Sequence, residues 1–351
     1  MKKMKIILLL FCSFSFTSLL VAQEKQEQPF KFVTNVSGVG TSAATFLEIG
    51  VGGRAVAMGG AYAAVANDVS ALYWNPAGIA WVQGVQAEMM HTEWLADTKY
   101  DFVGLVIPVP YLRSSFGVSF ISLDYGESPV RTVDRPEGTG EKYGARDFAV
   151  ALSWAMSLTD RFSFGLSGKY ISQRIWSETG NAMAVDVGVF YNTMLKGLRL
   201  GSSISNFGNE IQLSGRHLTT IVDPDPRVEN FDRVPVNYKT SSYPLPLLFR
   251  VGISYAREIG ALGNFMLAMD VNHPSNTTES INFGAEYGFA KMFYLRAGYQ
   301  NLYERDSING PTFGGGIDYY LRGRMGIRVD YSWSDWGMLK NAQRFSLGLV
   351  F

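Results

Sequence analysis

The sequence predicts an all-β fold: a 14-stranded antiparallel transmembrane β-barrel with an N-terminal plug segment. Three observations carry this reading. Segments of about ten residues with alternating apolar and polar side chains recur from residue 85 to residue 351, which is the length a tilted strand needs to cross a bilayer. Their number is even, as a single-chain barrel closed by antiparallel pairing requires. The connections between them alternate between short and long, as the two mouths of such a barrel do. Composition fits: 37 glycines, 18 tyrosines and 23 phenylalanines among 351 residues, with no apolar run after residue 22 long enough for a membrane-crossing helix.

Residues 1–22 read as a signal peptide. Lys2, Lys3 and Lys5 precede an apolar stretch from Ile6 to Leu20, with a cleavage point near Val21-Ala22-Gln23. Cys12, the only cysteine, lies in this leader. The exported chain is then expected to hold no disulfide or thiolate metal site. The whole chain has 31 basic and 31 acidic residues; without the three leader lysines its formal charge is −3. That balance gives no basic footprint for nucleic acid.

Residues 23–84 form a polar lead and a compact segment, the expected plug. After Thr45-Phe46-Leu47-Glu48-Ile49 comes a glycine- and alanine-rich run, then Tyr73-Trp74-Asn75-Pro76-Ala77-Gly78. Small residues allow close backbone packing, and Asn-Pro followed by Gly marks tight turns. A periplasmic extension is the alternative placement. Gly50-Val51-Gly52-Gly53 loosely fits a dinucleotide fingerprint, but no βαβ unit follows it, so no such cofactor is expected.

Residues 85–351 form the barrel. Its expected strands are 85–94, 99–109, 114–124, 145–157, 161–173, 181–193, 197–206, 247–257, 264–272, 280–290, 292–301, 311–320, 324–334 and 342–351. In 324–334, Met325, Ile327, Val329, Tyr331 and Trp333 oppose Arg324, Gly326, Arg328, Asp330 and Ser332. In 145–157, Phe148, Val150, Leu152, Trp154 and Met156 oppose Ala149, Ala151, Ser153 and Ala155. Placing the bulky set against lipid and the small or charged set inside distinguishes a barrel from a soluble sandwich. The last strand sets Phe345, Leu347, Leu349 and Phe351 on one face. Every second connection is short (110–113, 158–160, 194–196, 258–263, 291, 321–323). The others include 125–144, 174–180, 207–246, 273–279, 302–310 and 335–341, with 95–98 the one short member. Trp94, Tyr100, Tyr170, Tyr191, Trp333 and Trp336 near strand ends suit interfacial girdles.

The inner faces mix both signs of charge: Lys169, Asp186, Arg250, Asp270, Glu286, Arg296, Asp318, Arg328, Asp330 and Arg344. They either keep a lumen hydrated or anchor the plug. Arg54, Asn67 and Asp68 are the natural plug partners for that contact, and Asn75 and Pro76 of the tight turn complete the candidate plug residues. The forty-residue connection 207–246 is long for a loop without structure of its own. Its Phe231, Tyr238 and Tyr243 are candidate partner-binding anchors, since aromatic side chains carry much of interface affinity.

Residues 46–80, FLEIGVGGRAVAMGGAYAAVANDVSALYWNPAGIA, resemble the amino-terminal signature of the PorV/PorQ family of outer-membrane proteins associated with the type IX secretion system. The wider architecture resembles FadL-type barrels, which also carry an amino-terminal hatch and an Asn-Pro-Ala turn. The resemblance implies residence in the bacterial outer membrane, contact with its lipid, and partners that are secreted proteins with C-terminal signal domains and other secretion-system components. It supplies no catalytic residues. The alternative it leaves open is FadL-like transport of hydrophobic small molecules.

Catalysis, metal binding and cofactors find no motif. The three histidines, His91, His217 and His273, lack a second ligand at metal spacing. A serine near His273, such as Ser275 or Ser280, would need an orienting third group to act as a hydrolase nucleophile. The expectation is a non-catalytic protein, with no metal and no cofactor.

Overall fold

In the computed structural model, residues 38–223, 234–260, 263–304, 307–321 and 325–351 are described. The expected signal peptide and most of the polar lead lie outside them. Fourteen antiparallel strands close into a barrel: β1 (Gln86–Glu93), β2 (Lys99–Val109), β3 (Ser114–Pro129), β4 (Lys142–Ser157), β5 (Phe162–Ile175), β6 (Glu178–Asn192), β7 (Leu198–Gly208), β12 (Leu248–Glu258), β13 (Asn264–Pro274), β14 (Ser280–Phe289), β15 (Phe293–Leu302), β16 (Pro311–Leu321), β17 (Met325–Asp335) and β18 (Asn341–Val350). Each strand pairs with its neighbours in sequence, β7 with β12, and β1 closes on β18 from Gln86↔Val350 to Glu93↔Gln343. Closure leaves no unpaired edge, the condition for a sheet in lipid.

The strands occupy the expected segments, and the alternation faces as expected. Val329 is 47% exposed on the outside while Asp330, Ser332 and Ser334 of the same strand are buried inside. Ala149, Ala151, Ser153 and Ala155 of β4 point inward opposite an exposed Leu152. The outer surface is a continuous display of Val, Leu, Ile, Phe and Tyr.

Three expectations are corrected. The connection 174–180 is a two-residue turn at 176–177, because β5 runs on to Ile175 and β6 begins at Glu178. Trp176 takes the tight corner at φ 54°. The loop 125–144 shrinks to 130–141, as β3 and β4 continue past a bulge between Asp124 and Glu127. Tyr100, Trp94 and Trp336 are not lipid-interface side chains. Tyr100 is fully buried with Phe102 and Val106 on the inner face of β2, which is apolar because it packs against apolar plug residues. Trp94 and Trp336 meet edge-to-face, 4.9 Å between centroids, and line an interior cavity.

The excursion between β7 and β12 has structure of its own. It holds two small two-stranded sheets, β8 (Ile211–Gln212) with β11 (Ser242–Tyr243) and β9 (Thr219–Val222) with β10 (Val234–Asn237). Ile211 and Leu245 at its base are buried.

Residues 44–82 run through the lumen. The described chain starts at the long-loop mouth, where the Ala43 amide donates to the Pro244 carbonyl at 2.9 Å. It leaves at the short-turn mouth, where the Phe351 amide donates to the Val85 carbonyl at 2.8 Å. Its only regular elements are helices of one or two turns: Thr45–Glu48, Gly53–Ala57, Ala71–Trp74 and Pro76–Trp81. The buried apolar cluster of the molecule is formed largely by this segment against the inner wall.

Candidate functional site

The plug contributes no strand to the barrel sheet, so its backbone polar groups need other partners. The wall's short polar side chains supply them. The Tyr62 and Ala63 amides donate to Asp270 Oδ2 at 2.8 and 2.7 Å. Thr312 Oγ1 accepts from the Gly59 amide at 3.0 Å and donates to the Ala57 carbonyl at 3.1 Å. Ser346 accepts from Gly53, while Ser203, Ser254 and Ser163 donate to the carbonyls of Trp74, Ala64 and Ala77, all within 3.0 Å.

A belt of inward-facing glycines makes this approach possible. A Cβ on Gly298 would sit 2.1 Å from the Gly59 amide nitrogen, one on Gly201 2.1 Å from the Ala63 carbonyl oxygen, and one on Gly284 2.4 Å from the Met58 carbonyl oxygen. Gly165 and Gly188 meet Asn75, Pro76 and Ala77 in the same way, and Gly117 meets Leu72. No side chain fits at such distances, so these positions seat the plug backbone directly on the wall.

Asn75 caps the turn that Pro76 begins: its Oδ1 accepts from the Ala77 amide at 3.1 Å. Its Nδ2 donates to the carbonyls of Ala63 in the plug and Val189 in β6, at 2.8 and 3.0 Å. Arg54 is the electrostatic counterpart. Its guanidinium donates to Glu286 at 2.8 and 3.0 Å, and through Nη1 to Asn67 and Asp68 at 2.9 and 3.1 Å. Glu286 also takes Arg296 at 2.7 Å, and Arg296 reaches Asp330 at 2.6 Å. The result is a chain of alternating charge from the plug to β17: Asp68, Arg54, Glu286, Arg296, Asp330. Tyr62 donates its hydroxyl to Asp68. Arg328, paired with Asp318 at 3.0 Å, approaches Asp68 at 3.9 Å. Removing one member of a buried pair strands the other charge, so such chains fix position even where their net contribution to stability is small.

The remaining lumen charges sort differently. Lys169 pairs with Asp186 at 2.6 Å. Arg250 and Arg344 have no carboxylate partner among the described residues. Both line a cavity of about 330 Å³ between plug and wall at the long-loop mouth. Its lining includes Glu48, Trp74, Trp94, Asn272, Ser280, Asn282, Gln300, Asn301, Glu304, Asn309 and Trp336. It is as much polar as apolar in character. Periodicity placed both arginines inside the barrel but did not distinguish them from the paired ones, and the glycine belt was not singled out. Its sequence signal is a glycine on the inner face of strand after strand.

The histidines form no metal cluster among the described residues. His91 meets Asp101 at 2.6 Å and His273 meets Glu279 at 3.1 Å, all at exposed positions. Ser280 turns to Asn272 and Asn301 instead of His273. His217 gathers Ser177 and Glu178 and stacks on Trp176 at 3.9 Å. Serine and glutamate both address Nδ1. A nucleophile–base–acid relay needs them on opposite ring nitrogens, so this trio lacks that geometry. Of the loop anchors, Tyr238 is 68% and Tyr243 47% exposed. Phe231 lies outside the described residues.

Comparison with known proteins agrees on architecture. Residues 20–170 match the model of the Uncharacterised protein family (UPF0164). No curated protein matches the chain. Among solved structures, the chain is similar to the Pseudomonas putida toluene transporter TodX at 13% identity, covering 86% of this chain and 96% of that one with a TM-score of 0.53. It is similar to the Ralstonia pickettii toluene transporter TbuX at 14% identity, covering 86% and 97% with a TM-score of 0.52. A Pseudomonas aeruginosa FadL homologue matches at 11% identity, covering 84% and 96% with a TM-score of 0.51. The fold is that of the FadL-type outer-membrane barrel.

Proposed function

We propose that this chain is a non-enzymatic transport barrel of the outer membrane, which admits small molecules at its long-loop mouth and passes them by displacement of the plug. The observation that carries this reading is the plug itself. It is joined to the wall by side-chain hydrogen bonds, ion pairs and close contacts, with no shared strand pairing, so it is separable from a sheet that stays closed. A cavity between plug and wall opens at the mouth where substrate would arrive. The apolar outer surface supports residence in lipid. Two of the similar structures are named as toluene transporters; what is carried over from them is the route, not the hydrocarbon.

The test is uptake. Liposomes containing the purified protein should take up a panel of small solutes selectively, and a chain with the plug chemically tethered to the wall should not. Equal exclusion of every solute by the intact protein, with a normal growth range in a deletion strain, would sink the reading.

A second reading, that the barrel binds secreted proteins or translocon partners of a type IX system, draws on the excursion between β7 and β12. Its hairpins hold out Ile221, Val234, Val236, Tyr238 and Tyr243, an apolar surface suited to a protein partner. Replacing Phe231, Tyr238 and Tyr243 by Ala should then weaken cargo capture with the barrel intact. Unchanged secretion in a deletion strain would remove this reading and leave transport.

A further inference from the structure

We propose that the cavity over the plug is a binding site for a small hydroxylated monocarboxylate, a sugar acid in chemical class, held by Arg250 and Arg344. The inference takes its occupant to be the transported compound and so rests on the transport reading.

Both arginines are almost wholly buried, at 4% and 2% exposure. A buried guanidinium without a carboxylate is costly, and elsewhere in this lumen Arg54, Arg296 and Arg328 each have one. Arg344 donates through Nη1 to Ser334 at 3.0 Å, and its Nε has no acceptor. Arg250 contacts Ser205 Oγ at 3.4 Å and the Tyr73 hydroxyl, and it feels the charges of Glu48 and Asp270 without forming an ion pair with either. Their faces are occupied: Arg344 lies 4.8 Å from the Trp94 ring centre, and Arg250 5.5 and 5.1 Å from those of Tyr73 and Trp74. What they have left to offer is the guanidinium edge, which matches a carboxylate.

The second observation concerns acceptors. Asn272 and Asn309 line the same cavity, and the Oδ1 of each is buried without a donor. An unfilled amide oxygen calls for a hydroxyl or amine hydrogen, which a hydrocarbon or a fatty acyl chain lacks. A ligand that answers both demands carries an anionic carboxylate and neutral hydroxyls. Glu48 and Glu304 also face the cavity. Glu48 accepts from Asn276 Nδ2 at 3.1 Å, and the two acids disfavour a second negative charge, which selects a monocarboxylate. A cavity of about 330 Å³ is at the small end of ligand sites. Tryptophan rings set edge-to-face wall it on the outer side.

Calorimetry on the purified full-length protein with gluconate, glucose, glucarate and decanoate tests the site. Gluconate should bind, glucose and decanoate should not, and glucarate should bind more weakly than gluconate. Arg344→Gln and Arg250→Gln should each weaken gluconate by at least about tenfold, the loss of a charged hydrogen bond. Glu48→Gln, at a solvent-exposed position, should tighten it. If an arginine variant fails to assemble as a barrel, the glutamate variant decides: unchanged or weaker binding overturns the proposal. Decanoate binding in preference to gluconate also overturns it, as does gluconate binding indifferent to both arginines. Binding of gluconate with these dependences but no uptake into liposomes would establish the site and overturn the transport reading alone.

Discussion

At the scale of single residues, Arg54 and Glu286 tie the plug to the wall. Glu286 answers two guanidiniums at once, Arg54 at 2.8 Å and Arg296 at 2.7 Å. Glu286→Gln leaves both cations short of a counter-charge inside the barrel, and should destabilise by roughly 3–5 kcal/mol. Urea unfolding in detergent measures this. Adding Arg54→Gln to Glu286→Gln should cost less than the sum of the two single changes, the signature of a shared pair. On the other side of the wall, Val329 faces lipid while its neighbour Asp330 faces inward. Val329→Arg should cost about 2–4 kcal/mol near the membrane midplane. Spin labels at 327, 329 and 331 should be lipid-accessible and one at 330 should not; the reverse pattern would contradict the facing. Strand parity placed ten charges inside the barrel from the sequence; Glu88 and Asp147, buried on the inner faces of β1 and β4, were not among them. Which of them pair was not legible, because pairing depends on register across strands such as Glu286↔Arg296, some ten residues apart, and on a plug that meets them from two hundred residues away.

At the scale of elements, the plug and its glycine belt belong together. The plug's sequence is rich in Gly and Ala, so its backbone lies against the wall, and the wall answers with inward glycines. Gly298→Val would drive a side chain into Gly59, 2.1 Å from where its Cβ would sit. The strand should still form, since valine suits a β-strand, but the plug should be unseated. Limited proteolysis should then cut within 45–80 in the variant and spare it in the parent; equal protection would show that the plug is not seated there. Alternation fixed the strands because a two-residue period is local. The turn at 176–177 and the extended β3–β4 pair escaped it because polar strand residues beyond the membrane, such as Thr179 and Lys142, look like loop. Tyr100 departs from the girdle pattern for a related reason. An aromatic near a strand end reads as an interface anchor, yet β2 turns its apolar inner face to the plug's Val69 and Leu72, which approach at Gly104.

At the scale of the whole molecule, the fold is a closed wall around a filled interior. The number of strands and their order followed from the sequence, as did the side-to-side sorting of loops apart from the two-residue turn at 176–177. The cavity over the plug did not, because it is assembled from the plug, five strands of the barrel and four loops, with no motif in any one of them. Function at this scale depends on whether the plug seals the lumen, and ion conductance reads that directly. Purified protein in planar bilayers should show little steady conductance, and a chain lacking residues 45–80 should conduct as an open pore of barrel width. A large, stable conductance in the intact protein, unchanged by the deletion, would contradict a resident plug and with it the account of how this barrel works.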